Sequence, residues 1–246
     1  MVVCGPTALQ VLGVALPTPL EDWDRCHLAV RRGRPERAQV VTHRTVREPV
    51  AWHAVDGVRV CHPVDAWLQL RGGTADELVE VGDGLVRRRH PVLTMAGLTS
   101  RLAQLGGAAG VKQARRLVPL LRPGTDSPYE TRTRLVLVHA GLPCPVVNIE
   151  VPCRSGMTYH VDMGYPVERV GVEYDGAVHV GSRWQMETDA RRRRELQDEG
   201  WMLITVTADQ LRRPAEVIAS VEQALVLRRA AVAERDVSRT RLPNWR

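Results

Sequence analysis

A chain of 246 residues with 44% hydrophobic and 25% charged content can bury a proper core, and its length favours two domains over one. That composition excludes a disordered or fibrous protein. The formal charge of +6 is carried almost wholly by arginine, because Lys112 is the only lysine, and arginine's planar fork suits bidentate phosphate contacts. A polyanionic partner, nucleic acid above all, fits this charge, although a coding bias that replaces lysine with arginine leaves the same trace.

The five cysteines, Cys4, Cys26, Cys61, Cys144 and Cys153, are odd in number and contain no CxxC pair, which argues against a disulfide framework and a zinc ribbon. Cys26-His27 and Cys61-His62 lack ligand spacing to a second pair, so reduced thiols are expected. No apolar run reaches the roughly 18 residues of a membrane span, and the start lacks the charged-then-apolar layout of a signal peptide. A cytoplasmic protein without a membrane partner is the expectation.

In chain order, the apolar spacing from Cys4 to Leu16 predicts a short helix ended by Pro17 and Pro19. HLAV, AQVVTHR and AWHAVDGVRVCH then read as strands, the last pair joined by an Asp56-Gly57 hairpin turn. Between the first two lies the basic loop RRGRPER, with Arg31 and Arg32; it reads either as a solvated turn or as a phosphate-binding loop. Pro63 opens a helical stretch, VDAWLQL, TADELVEVGDGLVRRR, MAGLTSRLAQL and VKQARRLVPLL, broken at Gly72-Gly73 and Gly106-Gly107. LRPGTDSP reads as a linker. The pattern beyond it is helix, strands, polar helix, strand and a last amphipathic helix, a separate α/β unit. The expected divisions are residues 1–122, 127–235 and a basic tail, 236–246.

The stretch HVDMGYPVERVGVEYDGAVH, His160 to His179, sets three carboxylates in a valine-rich hairpin. Glu173 and Asp175 share one face of their strand, and the short GYPVER turn allows Asp162 to meet them across the ladder. Opposed carboxylates repel, and magnesium, an oxygen-seeking ion that also polarises phosphoryl groups, relieves that repulsion. The alternative is plain: Asp175-Gly176 is a turn signal, and Glu173 can pair with one of many arginines.

The order of Asp162, then VEYDGAVH, then a D-x-x-R-R helix carrying Asp189 and Arg192, then Leu196, Gly200 and Trp201 before an apolar strand, resembles the PD-(D/E)xK nuclease superfamily, with Arg193 a departure at a position more often acidic in relatives. More narrowly it is similar to the small domains related to very-short-patch-repair (Vsr) endonucleases, over roughly Ser127 to Leu225. The resemblance implies an α/β (α+β), restriction-endonuclease-like core with a central mixed sheet flanked by helices, preceded by a smaller mixed β/helical domain. It implies a metal-dependent DNA endonuclease using Mg²⁺ or Mn²⁺, with Asp162 as the central metal ligand and Glu173 as the second carboxylate. Asp175 stands where many members carry lysine, and no lysine follows Lys112. His179 is the natural substitute as a proton acceptor, or else a histidine bonded at a strand end.

Glu130 has two compatible readings. In Ser127-Pro128-Tyr129-Glu130 it completes a capping box, and in the superfamily an acidic residue on this first helix often points at the metal. Arg191 to Arg194 are about 100° apart around a helix, so only one or two reach the site; Arg191 and Arg192 are the expected backbone contacts, with Arg31 and Arg32 on the basic loop. Trp184 and Trp201 read as core anchors. The front half resembles the AbiEi-type antitoxin family, although the chain begins too late to hold a whole winged helix: either the start is internal or this member lacks it. The alternative function is therefore a DNA-binding, antitoxin-type regulator that retains a silent nuclease fold, with a partner protein in a toxin–antitoxin or defence system.

Overall fold

The computed structural model describes residues 1–30, 37–44, 51–70, 72–176 and 183–240. They form two units, Met1–Thr131 and Arg132–Arg246. The division falls inside a helix.

The first unit contains β1 (Val2–Val3), α1 (Gly5–Val11), β2 (Cys26–Val30), β3 (Val40–Arg44), β4 (Trp52–Val55), β5 (Val58–Cys61), α2 (Pro63–Leu68), α3 (Ala75–Leu85), α4 (Met95–Leu105) and α5 (Val111–Leu117). Its sheet has the order β3-β2-β1-β5-β4. The central strand β1 is two residues long, too short to show a period, which is why sequence reading starts the chain with a helix. The β4–β5 hairpin turns on Asp56 (φ 47°) and Gly57 (φ 80°), two positive-φ residues as a type I′ turn requires. Helix α3 begins with a reciprocal capping box between Thr74 and Glu77. Its far end carries the buried Asp83, which accepts the Arg122 N–H at 2.7 Å and the Thr131 hydroxyl at 2.9 Å. Gly82 lies so close to Leu121 that a Cβ would come within 2.6 Å of that side chain.

Helix α6 (Pro128–His139) runs from the first unit into the second. The second unit continues with β6 (Val146–Pro152), β7 (Thr158–Tyr165), β8 (Val170–Asp175), α7 (Arg183–Asp198), β9 (Met202–Thr207), α8 (Ala208–Leu211) and α9 (Pro214–Thr240). Its four-stranded sheet, in the order β6-β7-β8-β9, is mixed: β6, β7 and β8 run antiparallel, while β8 and β9 are parallel and joined through α7. One face packs Met163, Val170 and Val172 against Val217, Val221 and Leu225 of α9. The other packs Val161, Trp201 and Leu203 against Leu196 of α7. This is the mixed α/β architecture with a helix-flanked central sheet that the sequence predicts. Helix α9 extends through Thr240 into the expected tail, because AVAERD is rich in good helix formers. Among the described residues no helix is long and apolar enough to cross a membrane.

Candidate active site

Regular strands put alternate residues on one face, so Val161 and Met163 should face the same way. They do not: Val161 belongs to the core under α7 and Met163 to the core under α9. The neighbouring strand switches in the same place, with Val147 packed toward α9 and Ile149 toward α7. Between them lies Asn148 in the left-handed region (φ 50°), and the β6–β7 register puts Asp162 opposite it. The sheet is therefore crimped at Asn148 and Asp162. The last β7–β8 pair is Met163–Val172; continuing that register sets Asp162 opposite Glu173. There the Asp162 carboxylate accepts the Tyr174 N–H at 2.9 Å, a side chain doing what a strand carbonyl does elsewhere in the ladder.

Asp162, Glu173 and Asp175 line one open cleft of about 650 Å³, together with Asp189, Arg192 and Arg193 of α7 and Thr205 of β9. Glu173 is paired to Thr205 in the parallel β8–β9 ladder. The three carboxylates line this cleft without gathering at one point, and α7 supplies its arginines.

The four consecutive arginines scatter as their angular spacing requires. Arg192 turns inward: its Nη1 donates to Glu173 Oε2 at 3.2 Å, and its Nη2 donates to Glu173 Oε1 and to the His160 carbonyl. Arg193 donates to Thr205 Oγ1 at 3.1 Å. Arg191 points to solvent, 62% exposed, and pairs with Glu195 one turn on at 2.8 Å. Arg194 donates to the Ala190 carbonyl at 3.3 Å. Burial alone would lower the Arg192 pKa, but its hydrogen bonds to Glu173 and the charges of Glu173, Asp162 and Asp189 raise it above the ordinary arginine value.

Magnesium or manganese asks for carboxylate oxygens directed at one point. As arranged, these residues do not fit such an ion, because both oxygens of Glu173 are engaged by Arg192. Among the described residues no three His, Cys, Asp or Glu side chains gather closely enough to hold one.

The remaining expected residues separate clearly. Glu130 belongs to the first unit, where its N–H donates to Ser127 Oγ at 3.2 Å and its carboxylate accepts the Asp126 N–H at 2.9 Å. The helix-capping reading thus describes its contacts there, displaced by one residue from the ideal box. His179, Arg31 and Arg32 lie outside the described residues. Trp201 is a core residue at 7% exposure, but Trp184 is 72% exposed and is no core anchor. Trp184 sits in the first turn of a helix that begins at Arg183, and only the later turns bring Leu196 onto the sheet. Thr205 is the cleft residue that sequence reading missed, since nothing in MLITVT marks which residue of a parallel neighbour will stand beside Glu173.

No family model matches the chain. Two proteins of Mycobacterium tuberculosis, uncharacterized protein MT2308 of strain CDC 1551 / Oshkosh and uncharacterized protein Rv2248 of strain ATCC 25618 / H37Rv, are each 28% identical to it over 129 residues, 52% of this chain and 48% of theirs. The chain thus spans about half the length of the curated relatives it matches. Among solved structures, the catalytic domain of homing endonuclease I-Bth0305I is similar at a TM-score of 0.33 and 19% identity, covering 40% of this chain and 94% of that domain.

Proposed function

We propose that the chain is a DNA endonuclease, hydrolysing phosphodiester bonds at the cleft between β7, β8 and α7. The observation that carries this reading is that Asp162, Glu173 and Asp175 line one cleft with Arg192 and Arg193. A module that only binds phosphate gains nothing from such acids, which repel the backbone it must hold. Asp162 and Glu173 form the acidic centre that the superfamily resemblance assigns to Mg²⁺ or Mn²⁺, and holding either ion would require Glu173 to leave Arg192. That cofactor would supply a polarised phosphoryl oxygen and a more acidic water. Arg193 and the exposed Arg191 hold the DNA backbone, joined by Arg31 and Arg32. Asp175 takes the place of the superfamily's lysine, and His179 is the proposed proton acceptor. Glu130 stays with the helix start that it caps.

One observation favours a second reading. With Glu173 held by Arg192 and no lysine after Lys112, the fold also suits a DNA-binding regulator of antitoxin type with silent chemistry, acting with a partner protein. DNA repair, defence or a toxin–antitoxin pair is the setting that either reading serves.

Nicking of supercoiled plasmid in Mg²⁺, Mn²⁺ or chelator, for wild type and Asp162→Ala, separates the two. Under the endonuclease reading, cleavage needs the metal and falls by about 100-fold or more in the variant. Absence of cleavage in both proteins, with DNA binding intact, would sink it in favour of the regulator.

A further inference from the structure

We propose that the outer edge of β4 pairs antiparallel with the same edge of a second copy of this chain, about a two-fold axis at His53. Strand β4 ends the first unit's sheet, beyond β5 in the order β3-β2-β1-β5-β4. The β4–β5 ladder sets Trp52 opposite Cys61, His53 opposite Val60, Ala54 opposite Arg59 and Val55 opposite Val58, and the His62 N–H donates to the Ala51 carbonyl at 3.0 Å. Antiparallel pairs alternate between hydrogen-bonded and non-hydrogen-bonded, so counting from Ala51 and His62, it is His53 and Val55 that direct their backbone groups at β5. The N–H and C=O of Trp52 and Ala54 therefore point outward, and among the described residues nothing bonds to them. Natural sheets blunt such an edge with charge, proline or a bulge. The strand Trp52–Val55 contains no Asp, Glu, Lys, Arg or Pro, and its register with β5 is unbroken.

A second copy matches this edge donor for acceptor. A two-fold axis at His53 sets Trp52 of each copy opposite Ala54 of the other, and each such pair exchanges both of its N–H to O=C bonds, so every outward group of both strands finds a partner. Sliding either strand along the other leaves Trp52 or Ala54 without its match on β4. The side chains agree with the backbone. Trp52 and Ala54 share a face of the strand, where the Arg59 guanidinium lies 4.7 Å from the centre of the Trp52 ring. Trp52 is 48% exposed, and the small Ala54 of the second copy leaves room for the indole to lie over it. Nor does the strand carry a charge that would face its own like across the ladder. A stacked nucleobase, by contrast, would cover the Trp52 ring and leave the outward backbone groups unpaired. Because the contact is confined to one short strand, the pairing is weaker than that of a permanent dimer and depends on concentration. It belongs to the first unit and is independent of what the carboxylate cleft does.

Sedimentation equilibrium of the full chain, from about 1 to 300 μM, tests the pairing. The 27.4 kDa monomer is expected in exchange with a species of twice that mass. Ala54→Pro deletes an outward N–H, spares the ladder to β5 and is a substitution that edge strands tolerate; it should weaken dimerisation by about tenfold. His53→Glu sets like charges face to face on the axis and should weaken it several-fold, more so at low salt. Thermal unfolding shows whether each variant is folded, and should Ala54→Pro fail to fold, His53→Glu decides. A monomer at every concentration, or a dimer that either folded variant leaves unchanged, would overturn the proposal. A monomer that binds single-stranded oligonucleotides and loses that binding in Trp52→Ala would give the face to nucleic acid in its place.

Discussion

At the scale of single residues, the first unit holds a row of hydrogen-bonded groups that no motif announces. His27 Nε2 lies 2.8 Å from Asp22 Oδ2, and His27 Nδ1 lies 2.8 Å from His43 Nε2. An ionised Asp22 can only accept, so His27 carries its proton on Nε2; a neutral His27 then accepts on Nδ1, and His43 must donate from Nε2. The hydrogen bond from His27 draws the Asp22 pKa below the ordinary carboxylate value, burial opposes it, and Arg25 adds to the lowering. A carboxyl with a lowered folded pKa stabilises the fold above its unfolded pKa, and that contribution is lost as pH falls through the folded value. Asp22→Asn should therefore cost about 1 kcal/mol at neutral pH, a difference that shrinks as pH drops below about 4. Thermal unfolding of both proteins from pH 7 to pH 3 measures it; a difference as large at pH 3 as at pH 7 would contradict the role given to Asp22. The sequence shows Cys26-His27 as an isolated pair, and its true partners lie on a neighbouring strand and a loop, which local spacing does not reveal.

At the scale of elements, the carboxylate hairpin depends on two glycines that carry no chemistry. Gly164 and Gly171 stand opposite each other, two residues from Asp162 and Glu173. A Cβ on Gly164 would come within 2.3 Å of the Val170 carbonyl oxygen, and one on Gly171 within 2.8 Å of both Leu203 and Val161. Backbone cannot give way as a side chain does, so Gly164→Ala is expected to destabilise the protein by about 2–3 kcal/mol. Chemical denaturation checks the loss, and under the endonuclease reading cleavage should fall even where the variant remains folded, because β7 moves with it. Gly171→Ala meets movable side chains and is expected to cost less. The hairpin and the alternation of Glu173 with Asp175 were legible in VEYDG, and the helices in their apolar spacing. The crimp at Asn148 and Asp162 was not, because a strand's period predicts a face but not the place where a left-handed residue lets two adjacent strands exchange faces.

At the scale of the whole molecule, the arginine-borne charge of +6 makes a simple demand on the DNA binding that the proposed function requires. If about three phosphates are neutralised, affinity should fall roughly 40-fold between 50 and 200 mM salt, through counterion release. Anisotropy titrations across that range give the slope. A salt-independent affinity would deny that arginines hold the backbone. Removing Arg191 should lower the slope by about one phosphate without changing preference among DNA sequences.

The sequence by itself determined most of the helices and strands, though not the two-residue β1, together with the α/β character of the second unit and the three carboxylates of its hairpin. These are local properties, set by apolar period, turn residues and strand alternation over a few positions. The tertiary structure alone decided that Glu173 faces Arg192 and Thr205, that Trp184 stays in solvent, and that Asp162 sits at a crimp in the sheet. Each depends on which distant segment packs alongside, through the parallel crossover from β8 by α7 to β9, and the pattern of one segment carries no record of its neighbour's register.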